Sequence, residues 1–284
     1  MLNNNIRLTP SANWGWVFFV LLIFVLSGCI PSANDRFLHT SSQAKNSDFS
    51  QNIFVGDKFA INYFLSNKID KNKELNIFIE GDGFSWVDKY TPSDNPTPIN
   101  PIALQIALGF GDTNIVYLSR PCQNVFGDNF KNCGQKYWTR DRFAPEVINS
   151  LNETIEYIKT KSDIQKINLF GYSGGGVAAL LITSKRSDVG KVTTYASNID
   201  TAFWTKLHNV SELSGENPAD LCDKLSQIPQ VHFVGGDDHI VPQDVARSYL
   251  SKCPKHKHVD IIIIDDFEHS AEWGKINITI KGNK

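Results

Sequence analysis

The sequence has no lysine- and arginine-rich helix and no stripe of basic residues interleaved with aromatics, so nothing in it suggests a nucleic-acid surface. Its formal net charge is −2 over 284 residues, and its most basic patch, CPKHKHV, reads as a solvated loop. No Cys-x-x-Cys pair occurs, which argues against a zinc ribbon or a thioredoxin-type site. His256 and His258 could begin a metal site but have no evident third ligand, so no metal site is expected there. Internal repeats and interdomain linkers are missing as well. With 41% hydrophobic and 20% charged residues, the chain is ordinary in composition and long enough for one large core.

An apolar run of the roughly 20 residues that a bilayer span needs is also lacking at the N-terminus. What stands there is shorter: WVFFVLLIFVL, 11 residues from Trp16 to Leu26, behind a polar segment whose one charge is Arg7. That length suits the core of a signal peptide. Leu26-Ser27-Gly28-Cys29 follows at once and resembles the bacterial lipobox, in which small residues precede a cysteine that is lipidated before cleavage. The resemblance implies a signal peptide over 1–28 and a mature chain anchored to a membrane through acyl chains on Cys29. Because Ile30 rather than Asp follows the cysteine, it also implies the outer membrane if the source is Gram-negative. The alternative is an uncleaved anchor over 14–30, 17 residues and at the short limit of a span. Residues 29–51 are polar and Ser/Asn-rich and are expected to form a flexible tether to a folded domain over 52–284.

Cysteine usage agrees with export. Setting Cys29 aside from the five leaves Cys122, Cys133, Cys222 and Cys253, an even number for an oxidising compartment. Of the three pairings, the sequence-local one is favoured, Cys122 with Cys133 and Cys222 with Cys253.

From residue 52 onward, short β-branched or aromatic runs alternate with helix-periodic segments, the pattern of an α/β fold with a mostly parallel sheet and flanking helices. Strands are expected over 58–65, 75–80, 114–118, 166–170, 192–196, 230–234 and 259–264, the later ones apolar enough to be covered on both faces. Helices are expected over 101–108, 145–160, 175–184 and 243–251, with no large separate lid domain between them.

The stretch NLFGYSGGGVAALL places Ser173 among glycines between a predicted strand and a predicted helix. A phosphate-binding P-loop is excluded, because Val177 and Ala178 stand where its Lys and Ser/Thr belong. A dinucleotide fingerprint can be drawn through Gly174, Gly176 and Ala179, but it would follow several strands instead of opening the first unit. The pentapeptide Gly171-Tyr172-Ser173-Gly174-Gly175 satisfies G-x-S-x-G in the strand-turn-helix context of a nucleophile elbow. A serine nucleophile needs a histidine base and an orienting carboxylate. Downstream, FVGGDDHIVP offers Asp237 and Asp238 at a strand end, and IIIIDDFEHSAEW offers His269 after the last apolar strand. His232 lies inside a strand, His239 adjoins the acidic pair, and His39 falls in the tether, so these histidines fit less well.

Taken in order on these elements, the motifs resemble the α/β-hydrolase superfamily over about residues 55–280. The resemblance implies a Ser173–His269–Asp238 triad, with Asp238 preferred to Asp237 because Gly235, Asp238, Val241 and Pro242 match the superfamily's spacing. It implies an oxyanion hole that uses the amide of Gly174 and that of either Asp82 or Gly83 in the loop IEGDGF, where Glu80 replaces the usual histidine. The activity implied is hydrolysis of a small acyl substrate, most simply a carboxylic ester, with peptidase, thioesterase, acyltransferase and non-catalytic binding roles as alternatives on the same fold. No obligate protein partner is evident, and the chemistry that the resemblance implies needs no metal or organic cofactor. Arg120 and Arg142 could fix loop geometry near the pocket mouth, but structural salt bridging is the role preferred for them.

Overall fold

The computed structural model describes residues 30–111, 114–253 and 258–276. In chain order its main elements are α1 (Ala33–Asn46), β1 (Phe49–Val55), β2 (Ala60–Ser66), β3 (Leu75–Ile79), α2 (Ile102–Phe110), β4 (Ile115–Leu118), α3 (Pro145–Ser162), β5 (Ile167–Tyr172), α4 (Gly174–Thr183), β6 (Val189–Tyr195), α5 (Thr201–Leu207), α6 (Cys222–Leu225), β7 (Gln230–Gly235), α7 (Gln243–Lys252) and β8 (Val259–Ile264). The strands form one sheet in the order β1-β2-β4-β3-β5-β6-β7-β8. β2 is antiparallel to both its neighbours, and every pairing from β4 to β8 is parallel.

Continuous apolar runs became the central strands because both faces of the sheet are covered. β3, β4 and β5 are buried at every position. On one face α3 and α4 pack Val147, Leu151, Ile155, Val177 and Leu181 against Ile77, Val116 and Leu169. On the other, α2 brings Leu104 and Ala107 to Phe78, Tyr117 and Phe170. α3 begins at Pro145, whose missing N–H costs nothing in a first turn. The apolar run of β8 departs from expectation: it is the edge of the sheet, and Ile262 and Ile263 are exposed.

The four cysteines meet in the two local pairs, with Cα–Cα distances of 5.7 Å for Cys122–Cys133 and 5.3 Å for Cys222–Cys253. The first ties down the loop after β4, and the second joins α6 to the end of α7.

The tether expectation is corrected over most of its length. Residues 33–46 form α1, and β1 begins at Phe49, whereas Cys29 and the segment 1–28 lie outside the described residues. Composition misled because little of α1's attachment is apolar. Ser32 and Asp35 form a capping box, the Asp35 amide donating to Ser32 Oγ at 3.2 Å. One turn on, buried Arg36 donates from Nε to the Thr97 carbonyl at 2.8 Å and from Nη2 to Asn95 at 3.0 Å, and small Thr40, Ser41 and Ala44 lie flat on the domain. Among the described residues, no helix is long and apolar enough to cross a membrane.

Candidate active site

Ser173 stands between β5 and α4 with φ 50° and ψ −123°, a conformation a non-glycine residue adopts only when its surroundings impose it. The Ser173 amide donates to the Tyr195 carbonyl of β6 at 2.8 Å, which fixes the turn from one side. Close approach fixes it from the other. A Cβ at Gly171 would collide with the main chain of Gly175, and one at Gly175 would collide with the Ile79 carbonyl. Gly176 has a packing role too, since a side chain there would meet Ser197.

The turn presents Ser173 Oγ to His269 Nε2 at 3.1 Å, and His269 Nδ1 lies 2.8 Å from Asp238 Oδ2. An ionised carboxylate only accepts, so the ring proton resides on Nδ1 and Nε2 offers its lone pair to the serine hydroxyl. Asp238 is buried, and its Oδ1 accepts the amides of Ile240 at 2.8 Å and Val241 at 2.7 Å, which sets the carboxylate's orientation. The adjacent Asp237 is exposed, and the carboxylate that meets the imidazole is that of Asp238. His269 is held through its own backbone: its carbonyl accepts Tyr172 Oη at 3.1 Å and Trp273 Nε1 at 2.9 Å. Neither donor was singled out from sequence, although Trp273 stands one helical turn after the histidine.

The loop after β3 closes the site. Gly83 has φ +68°, and a Cβ there would strike the Pro96 carbonyl, so the loop tolerates only glycine at this position. Asp82 and Gly83 both line the pocket beside Ser173, and their amides and that of Gly174 are the candidate oxyanion donors. The Asp82 carboxylate is engaged by two arginines, Arg142 Nη1 and Arg120 Nη1, the latter at 3.4 Å. Arg120 also donates to the Arg142 carbonyl, so the loops after β3 and β4 form one unit. Burial lowers the Arg120 pKa to about 10 against the opposing pull of Asp82, and the guanidinium remains charged at neutral pH.

Glu80, standing where a histidine was expected, is fully buried. Its Oε1 accepts the Gly81 amide at 2.9 Å and the Ala103 amide in the first turn of α2 at 3.4 Å, while Tyr117 Oη donates to Oε2 at 3.0 Å. Burial pushes its pKa up to about 7, and these hydrogen bonds hold it from rising further. The carboxyl thus pins the loop after β3 to the N-terminus of α2, a site that favours an acceptor.

No protein-family model matches the sequence, and no curated protein matches it. Solved structures do match. An esterase from Pyrococcus furiosus, Pf2001, superposes with a TM-score of 0.59 at 12% identity, over 84% of this chain and 91% of its own. Est1E from Butyrivibrio proteoclasticus gives a TM-score of 0.55 at 14% identity, over 82% and 96%. A membrane phospholipase A described as a bacterial virulence factor gives 0.53 at 14%, over 88% and 89%. The fold is the α/β-hydrolase fold.

In that fold's terms the elbow follows β5, the acid follows β7 and the histidine follows β8, each at the C-terminal end of a parallel strand where loops converge. A pocket of about 450 Å³ opens over Ser173 and His269, walled by Phe84, Trp86, Ile99, Ile102, Trp204 and Val241. Apolar walls around a few convergent polar groups are the usual make-up of a small-molecule site. Trp204 was not recognised from sequence as a pocket residue. Its Nε1 donates to the Ile240 carbonyl at 2.7 Å across a gap of 36 residues, a pairing with no local signal.

Proposed function

We propose that the chain is a serine hydrolase cleaving an acyl bond, with a carboxylic ester as the leading substrate class. One observation carries the reading: a strained serine, a histidine and a buried aspartate form an unbroken hydrogen-bonded relay at 3.1 and 2.8 Å on an elbow at the floor of an apolar pocket. In the first step Ser173 Oγ bonds to the substrate's carbonyl carbon as His269 Nε2 takes the hydroxyl proton. Asp238 stabilises the imidazolium so formed. The oxyanion is met by the Gly174 amide together with that of Asp82 or Gly83. Collapse breaks the carbon–oxygen bond to the leaving alcohol, which receives the proton from His269. Water, deprotonated by the same imidazole, then attacks the acyl-enzyme, releasing the acid and restoring Ser173. The esterases among the similar folds support an ester substrate.

The same proposal places the chain on a bacterial membrane as an exported lipoprotein anchored at Cys29, on the strength of the sequence around that cysteine. A fluorophosphonate probe tests the nucleophile: it should label the wild-type protein and not Ser173→Ala, and equal labelling of the two would remove Ser173 from its role. Metabolic labelling with palmitate in a bacterial host tests the anchor, since label retained by Cys29→Ala would exclude it.

A further inference from the structure

The guanidinium of Arg36 grips three backbone carbonyls at once, one just before α1 and two in the segment 95–97. It donates to the Pro31 carbonyl at 2.7 Å, to Asn95 at 3.0 Å and to Thr97 at 2.8 Å, and it lies 4.9 Å from the centroid of the Phe84 ring. Those partners are not remote from the site. Phe84, Ser85 and Trp86 on one side of the grip, and Pro98, Ile99 and Asn100 on the other, form one wall of the pocket over Ser173. The chain therefore enters its folded domain against the outer side of the active-site wall. Cys29 precedes Pro31 by two residues, which span at most ~7 Å when extended.

The mouth beside this wall is apolar and open. Trp86, Ile99 and Ile240 line the pocket and are 40%, 44% and 53% exposed, and the neighbouring Val87 and Tyr90 are 47% and 79% exposed. Large apolar side chains facing water on both sides of a catalytic opening mark a surface that something covers. Trp and Tyr suit the boundary between water and hydrocarbon, because each has an apolar body and a polar tip.

We propose that a lipid surface, the one that holds the N-terminus, covers this rim, and that the pocket takes its acyl substrate from that membrane as an acyl lipid. The inference deepens the acyl-hydrolase reading and rests on it. A lipid surface is favoured over a protein partner by the length of chain before the domain. An anchor at Cys29, or an uncleaved one ending at Ile30, would keep the chain's point of entry, and with it the neighbouring rim, within a few residues' reach of the membrane. A long flexible tether would have left the orientation free.

The experiment uses the full chain reconstituted in vesicles of phosphatidylethanolamine and phosphatidylglycerol, with two readouts: fatty acid released from the vesicles and hydrolysis of dissolved p-nitrophenyl butyrate. A flexible Gly/Ser insert of about 20 residues between Ile30 and Pro31 extends the tether to roughly 25 Å and frees the rim to rotate. We expect fatty-acid release to fall at least ~10-fold with the insert while butyrate hydrolysis stays at the wild-type rate. Val87→Ser combined with Tyr90→Ser should lower the ratio of lipid to butyrate turnover in the same direction. Unchanged release in both variants would overturn the inference and leave the rim to a protein partner. Butyrate turnover without any fatty-acid release by the wild type would overturn it alone, whereas failure of both readouts in a folded, vesicle-bound chain would overturn the hydrolase reading beneath it.

Discussion

The Asp82 carboxylate occupies the space that a side chain at position 174 would need. Oδ1 lies where a Cβ on Gly174 would stand, with Arg120 Nη1 beside it. The residue after Ser173 is therefore glycine for two reasons: the elbow's tight turn, and an ion-paired carboxylate packed against its Cα.

Gly174→Ala should force the Asp82 unit away from the elbow and disturb both sets of oxyanion donors together. A displacement of about 1 Å at a catalytic group is enough to lower kcat by ~10²-fold. Steady-state hydrolysis of p-nitrophenyl esters measures this, and the fold should survive as judged by far-UV circular dichroism. Asp82→Ala should instead act mainly on stability, since it strands two largely buried guanidinium groups. A loss of about 3 kcal/mol is expected in denaturant unfolding.

Adjacent aspartates separate function from surface. Asp238→Asn keeps the shape but presents the imidazole with a group that can stabilise the wrong tautomer, so kcat should fall by ~10³–10⁴-fold. Asp237→Asn, at an exposed position, should leave kcat within about twofold and stability within ~0.5 kcal/mol. Equal losses in the two variants would contradict the observed relay.

Glu80 gives the protein a pH dependence of definite sign. Its folded pKa of about 7 lies above the reference value of 4.5, so between those values the folded state holds a proton that the unfolded chain has lost. Stability from this group is greatest below the window and declines as pH rises through it, by about 3 kcal/mol in all. The charged and titratable groups bearing on it are Tyr117, Tyr172 and Arg120. Glu80→Gln keeps an acceptor for the Gly81 and Ala103 amides and should flatten this part of the stability profile. Glu80→Leu orphans those amides and should lower kcat along with stability. Urea titrations across the window, paired with ester hydrolysis, check both.

The Cys122–Cys133 pair closes a loop whose sequence separation is 11. By the chain-entropy argument, Cys122→Ser with Cys133→Ser should cost about 3 kcal/mol, and the wider loop closed by Cys222–Cys253 about 4 kcal/mol. Thermal unfolding with and without reductant should give losses in that order.

Local signals were enough for the parts of the protein in which the residues that specify a feature also form it. Apolar runs bounded by turn residues marked the central strands, because a doubly covered strand must be apolar throughout. Ser173 could be recognised because an elbow needs small residues at fixed offsets, and the order Ser173, Asp238, His269 follows from the order of strand ends. Sequence placed Asp237 and Asp238 on equal terms until the resemblance ranked them. Folding separated them physically by burying one against the amides of Ile240 and Val241 and exposing its neighbour.

Contacts across large sequence separations set the rest. α1 looked like a tether because its attachment depends on Arg36 reaching backbone 59 and 61 residues away. The role of Glu80 depends on Ala103 and Tyr117, and the grip on the His269 carbonyl depends on Tyr172, 97 residues before it. A residue's own neighbours carry no trace of such partners. Sequence alone therefore determined the α/β alternation, the elbow and the candidate triad, whose signals are local. Tertiary structure decided which aspartate meets the histidine, what holds the loop after β3 and where the chain enters relative to the pocket, because each depends on contacts between residues far apart in sequence.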